Sequence, residues 1–281
     1  MWRWTRLISA KWEDAWAERL LFLGPGRVAF IGWPDGKRVR VEAFVEEKEV
    51  RGLVREFGGK AAKARLWTGD PQTPRAPLNI RGKLRIFSDP EPFEAGRKDR
   101  RKAILIPSGM AFGTGEHATT ASCLRMLCDV AGGLKQPWTA VDAGTGSGIL
   151  AIAASALGAE RVEAFDFDPA CVRISKVNAR ANGMRNIRIK RADVLEWSPA
   201  ERHEVVVANL FSDLLIRAAP ILKRAVRSRG GVVIFSGVLR TQLEEVRGVF
   251  EGLGFDMERT VVRGKWSAGL CRRPDGTSPD Q

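Results

Sequence analysis

The chain has no tyrosine, only two histidines and few cysteines, and each shortage narrows what it can do. Without a phenol, no chemical step can rest on a tyrosyl hydroxyl. His117 and His203 are too few for a multi-histidine metal centre, so no metal is expected. Cys123, Cys128, Cys171 and Cys271 contain no C-x-x-C pair. That spacing excludes a zinc ribbon and argues against a disulfide framework, leaving four free thiols in or near the core as the expectation. No stretch approaches the roughly 18 apolar residues of a membrane helix. Met1-Trp2-Arg3-Trp4-Thr5-Arg6-Leu7-Ile8 has no signal-peptide core. These absences point to a cytoplasmic protein with no membrane partner.

What the chain does have is positive charge. It carries 46 Lys and Arg against 33 Asp and Glu, a formal +13 in 281 residues. The excess is uneven: residues 1–107 hold 23 basic and 14 acidic residues, whereas residues 108–281 hold 23 and 19. Such a surface suits nucleic acid, an acidic partner or ribosomal association, or simply keeps the protein in solution.

The pattern divides the chain into two domains of unequal size. Residues 1–63 read as a small α+β domain: a strand over Trp2 to Ile8, a helix over Ala10 to Leu23, and strands Val28 to Trp33 and Val39 to Val45 around Pro34-Asp35-Gly36. A helix from Glu46 to Phe57 closes it. Residues 64–78 read as a linker. From residue 79 to 281, after two short strands (Lys83 to Phe87, Lys102 to Ile106), a glycine-rich stretch leads into a helix ending near Val130. Strands at Ala140, Val162, Ile187, Glu204 and Gly231 then alternate with helices, and Phe255 to Arg273 forms a closing hairpin. The fold class this predicts is α/β, a doubly wound, mostly parallel sheet behind the small N-terminal α+β domain.

The chemistry concentrates at strand ends. Asp142-Ala143-Gly144-Thr145-Gly146-Ser147-Gly148 follows a strand and opens a helix, the context in which a glycine loop admits a ligand. Its G-x-G-x-G spacing and preceding acid differ from a dinucleotide fingerprint. A carboxylate there repels pyrophosphate and attracts an ammonium or sulfonium, which favours S-adenosylmethionine. Asp166 lies 22 positions after Gly144, at the interval where an acid accepts ribose hydroxyls. Asp168-Pro169 reads as a helix cap. Asp193 falls where such folds meet an adenine amino group or simply make a turn. Asn209, after four apolar residues, stands at the carboxyl edge where open α/β sheets bind ligands. His117 reads either as a general base or as a hydrogen-bonded structural element.

Four segments together resemble a known family. These are Ala111-Phe112-Gly113-Thr114-Gly115-Glu116-His117-Ala118-Thr119-Thr120, the glycine loop with Ile149-Leu150-Ala151-Ile152-Ala153-Ala154, and Asp166-Phe167-Asp168-Pro169 with Val206-Val207-Ala208-Asn209. They are similar to the PrmA family of class I methyltransferases (Rossmann-like), which modify ribosomal protein L11. The similarity spans roughly Leu78 to Arg273. It implies an S-adenosylmethionine-dependent enzyme that methylates lysine and N-terminal amines of L11, free or ribosome-bound. It also implies an N-terminal domain that recognises the substrate. Cofactor contacts implied or read from the pattern are Thr120, Gly144, Gly146, Asp166, Asp193 and Asn209; the catalytic residue is left open. A monomer with electrostatic contact to ribosomal RNA is expected. The alternative is an RNA or small-molecule methyltransferase on the same fold. After Asn209 the family tends to read Ile-Leu-Ala-Gly-Pro, where this chain has Leu210-Phe211-Ser212-Asp213-Leu214, a change in the wall near the acceptor.

Overall fold

Apolar residues before position 64 and after position 77 close separate cores. A computed structural model describes residues 2–24, 27–32, 37–63, 76–96, 102–107, 115 and 117–275. The chain divides into two compact units, 1–73 and 74–281.

In the first unit, β1 (Trp2–Ser9), α1 (Glu13–Arg19), β2 (Val28–Gly32), β3 (Arg38–Val45), α2 (Glu47–Phe57) and β4 (Lys60–Lys63) build an antiparallel sheet in the order β2-β3-β1-β4. Trp4, Trp16, Leu20, Val41, Val45 and Leu53 are buried against one another. Each such side chain contributes about 1.5–3 kcal/mol when fully removed from water. The single helix expected from Ala10 to Leu23 is in fact three pieces, with 3-10 turns at Ala10–Trp12 and Leu21–Leu23 flanking α1. The tighter winding eclipses positions three apart, which puts Leu20 and Leu23 together in the core and leaves Phe22 exposed. Glu46 and Glu49 form a capping box at the start of α2. Arg27 reaches that box with two bonds to Glu49, 3.1 and 2.6 Å, and holds the Glu49 carboxyl down to about 2. β4 has no counterpart in the sequence reading, because Lys60-Ala61-Ala62-Lys63 lacks the β-branched and aromatic residues that mark strands.

In the second unit, β5 (Leu78–Ile80), β6 (Leu84–Phe87), α3 (Pro90–Gly96) and β7 (Lys102–Leu105) make a small three-stranded layer. β5 starts inside the stretch read as linker; three residues are too few to show a period. Residues 64–75, most of that stretch, lie outside the described residues. So do residues 108–114 and 116, and with them much of the glycine-rich stretch before Thr120.

The main body follows as α4 (Ala118–Ala131), β8 (Thr139–Ala143), α5 (Ile149–Ala156), β9 (Arg161–Asp166), α6 (Pro169–Ala181), β10 (Ile187–Arg191) and β11 (Val205–Asn209). It ends with α7 (Ser212–Ala225), β12 (Val232–Leu239), α8 (Leu243–Gly252), β13 (Asp256–Arg263) and β14 (Trp266–Arg272). Its seven strands lie in the order β10-β9-β8-β11-β12-β14-β13, with β14 antiparallel to both neighbours. The centre of the sheet is buried on both faces. Val205 and Val207 point into one core with α4 and α5, and Val206 and Ala208 into the other with α7 and α8. That is why β11 reads as a continuous apolar run and not as an alternation. The chain winds outward from β8 to β10, then crosses back to β11 on the other side of β8. That reversal makes the carboxyl ends of β8 and β11 the switch point of the sheet, the place where open α/β sheets hold ligands. Among the described residues no helix is long and apolar enough to cross a membrane.

Candidate active site at the carboxyl edge of the sheet

The turn after β8 is held by its neighbour strand. Gly144 and Thr145 donate their amides to the carbonyl of Phe165, at 3.0 and 2.9 Å. Gly146 donates to Asp166 Oδ2 at 2.9 Å, and Asp168 donates to Asp166 Oδ1 at 3.0 Å. Asp166 therefore spends one lone pair of each oxygen on fixing the loop and keeps the others for a ligand at the end of β9. Asp168 caps α6, accepting from Ala170 at 2.7 Å, as its place before Pro169 implies.

Asp142 lies beneath the loop rather than beside it. It is 2% exposed, and its Oδ2 accepts from Thr145 Oγ1 at 2.6 Å and from the Ala151 amide at 3.0 Å. Burial pushes its carboxyl up to about 6, against the opposing pull of those two bonds. Its Oδ1 is buried and without a hydrogen-bond partner. An ionised carboxylate in that setting gains from any nearby cation.

Thr120 and Asn209, 89 positions apart, meet at the first turn of α4. Asn209 Nδ2 donates to Thr120 Oγ1 at 3.4 Å, while Asn209 Oδ1 is buried and unpartnered. Thr120 is fully buried. Gly144, Gly146, Asp166, Thr120 and Asn209 thus gather at the ends of α4, β8, β9 and β11. Asp193 stands apart in manner: it is exposed, and its Oδ1 accepts from the Leu195 amide at 2.9 Å, a turn of its own making.

The two histidines have structural surroundings. His117 caps α4, its Nδ1 within 2.7 Å of Thr119 Oγ1, and its ring meets Trp266 edge-on at 5.5 Å between centroids. His203 lies at the opposite edge of the sheet beside Thr139, and burial lowers its pKa.

The sequence marks Leu210 and Phe211 as a changed wall but not how the two residues are placed. Leu210 is lodged between two glycines: a Cβ on Gly144 would stand 2.5 Å from Leu210 Cδ2, and one on Gly237 would collide with the Leu210 carbonyl. Gly237 has φ +86° and sits where the β12–β14 register shifts. A glycine inside an apolar strand was the available signal. Phe211, next along, is 73% exposed beside the end of β11. Among the described residues no group of His, Cys, Asp and Glu could hold a metal ion.

A seven-stranded sheet in this order, its last strand reversed, with a glycine loop after the first strand and an acid ending the second, is the class I methyltransferase architecture. The comparisons are more specific. The family model described as "Ribosomal protein L11 methyltransferase (PrmA)" matches residues 40–274, and the chain belongs to that family. Ribosomal protein L11 methyltransferase of Streptococcus thermophilus (strain CNRZ 1066) is 37% identical over 203 residues, covering 72% of this chain and 62% of that protein. The protein of that name in Anoxybacillus flavithermus (strain DSM 21510 / WK1) is 36% identical over 197 residues, 70% and 62% of the two chains. The matches thus span about three fifths of these relatives' length. The crystal structure of ribosomal protein L11 methylase from Lactobacillus delbrueckii subsp. bulgaricus aligns with a TM-score of 0.62 at 28% identity, over 71% of this chain and all of that one.

Proposed function

We propose that the chain is an S-adenosylmethionine-dependent methyltransferase acting on amino groups of ribosomal protein L11, on the lysine side chain and the N-terminal amine. The observation that carries the reading is the convergence of Thr120, Gly144, Asp166 and Asn209 at the switch point of the sheet in a member of this family. The residues fit the cofactor. The free lone pairs of Asp166 suit ribose hydroxyls, the turn carries no side chain at Gly144 or Gly146, and the unpartnered oxygen of Asn209 suits a cationic methionyl end. Asp193, occupied in its turn, is the outermost candidate, toward the adenine.

When bound, S-adenosylmethionine would supply a methyl group on an already activated sulfonium. The chain's own task is then alignment, which by itself supplies much of the acceleration in such transfers. Asn209 and neighbouring backbone carbonyls orient the acceptor nitrogen, and no strong acid or base is required. Phe211 offers an exposed aromatic face at the acceptor side, suited to an alkylated ammonium. In this reading residues 1–63 recognise the substrate, residues 64–78 link them to the methyltransferase domain at 79–281, and the protein works as a cytoplasmic monomer without a metal. Intact-mass analysis of purified L11 after incubation with the chain and cofactor tests it. Mass gains in methyl-group steps are expected, and an unchanged mass overturns the substrate assignment.

A further inference from the structure

We propose that the rim formed by α6 and β10 is an RNA-binding surface that grips a phosphate backbone. Between Pro169 and Ala192 the chain carries seven cations, Arg173, Lys176, Arg180, Arg185, Arg188, Lys190 and Arg191, and no carboxylate. These residues fall on one structural feature, the open end of the seven-stranded sheet. β10 is the edge strand, and α6 packs on β9 and β10 beside it. All but Lys190 are exposed.

Most of them have no intramolecular partner among the described residues. Lys190 is paired with Glu163, and Arg191 Nε donates to the Phe167 carbonyl at 3.0 Å. The side chains of Arg173, Lys176, Arg180, Arg185 and Arg188 have no ion pair or hydrogen bond among the described residues. Some arginines on other faces of the same unit meet carboxylates (Arg81 and Arg259 at Asp129, Arg161 at Glu201, Arg247 at Glu244, Arg272 at Glu258) and others, such as Arg217 and Arg224 on α7, do not among the described residues; what marks the rim is seven cations in one run without a carboxylate among them. Arg173, Lys176 and Arg180 share a helix face at i, i+3 and i+7, where like charges lower helix stability. The fold bears that cost with no internal compensation, as a surface built for an external polyanion does.

The chemistry favours RNA over an acidic protein. A protein surface is usually of mixed sign and is matched by interspersed carboxylates, whereas a phosphate backbone is a line of one sign. Five of the seven cations are arginine, whose planar fork binds phosphate through paired bonds. Arg191 lies in register with Asp166, so a strand on this rim runs up to the candidate active site. The surface goes beyond the methyl-transfer reading and stands without it.

Fluorescence anisotropy of a labelled 20-nucleotide single-stranded RNA, with the full chain and neither cofactor nor protein substrate, tests the proposal. Saturable binding is expected, with log K falling against log salt at a slope of about −2 to −4 for three to five phosphate contacts. R173E/K176E/R180E should weaken binding at least tenfold, and so should R185E/R188E, while K223E/R224E on α7 should leave it unchanged. If the triple variant melts early, R185E/R188E decides. Three results would overturn the proposal: no binding at 50 mM salt, wild-type affinity in the folded rim variants, or poly-glutamate competing as well as unlabelled RNA.

Discussion

Asn209 reaches across from the end of β11 to the first turn of α4 and donates its amide to Thr120 at 3.4 Å, leaving its own oxygen buried and unpartnered. A buried acceptor without a donor costs about 1–3 kcal/mol, so this geometry suits a site completed by a ligand. Asn209→Ala should lower kcat/KM by about a hundredfold, the usual scale for losing one aligning polar group. Thr120→Val, which removes only the anchor, should cost less. Steady-state kinetics on L11 check both, and near-normal Asn209→Ala turnover removes the residue from the mechanism.

Asp166 binds the loop and, in the proposed function, the cofactor. Asp166→Asn would set an amide N–H against either the Gly146 or the Asp168 amide. Cofactor affinity measured by calorimetry should drop at least tenfold, with a smaller fall in melting temperature.

Asp142 predicts a pH dependence of stability. Its folded-state pKa, raised by burial to about 6, lies above the ordinary value near 4. Between those values the folded protein holds a proton that the unfolded chain has released. Stability from this group therefore falls as pH rises from about 4 to 6 and is level above. The span is on the order of 3 kcal/mol. Asp142→Asn keeps an acceptor oxygen, so its melting temperature should lack this component. Parallel slopes for the two proteins from pH 4 to 6 would count against the assignment.

An amine must be neutral to attack. With alignment and not proton transfer as the protein's contribution, the single-turnover rate should climb with pH toward the lysine pKa near 10.4. A flat profile from pH 7 to 9.5 contradicts this.

Gly237→Ala should be more damaging than Gly144→Ala. Both glycines have positive φ, but the added methyl at 237 meets the Leu210 backbone carbonyl, whereas at 144 it meets the far end of the Leu210 side chain, which can yield by rotation. Gly237→Ala should lose about 1–3 kcal/mol in chemical denaturation.

The alternation of strands and helices from Thr139 onward was readable because most strands there are either solid apolar runs or bounded by glycine, proline or a capping acid. Asp168 and Pro169 announced α6 through local capping, which needs no tertiary information. β4 and β5 were illegible because pairing with β1 and β6, not their own composition, makes them strands. At the site, spacing placed Gly144 and Asp166 on adjacent strand ends. It could not show that Asp142 turns inward, nor that Asn209 finds Thr120 at long range, since both depend on how the loop and α4 pack.

The lodging of Leu210 between Gly144 and Gly237 ties the ends of β8 and β11 to the body of β12. Its backbone is pinned on one side and its side chain on the other, so these positions are not free to drift independently. A larger residue at 144 requires a smaller one at 210, and 237 admits no enlargement until the whole chain after Asn209 moves. Diversification of the acceptor wall must therefore begin beyond this clasp, at Phe211, where the side chain is open to solvent and nothing behind it needs to change.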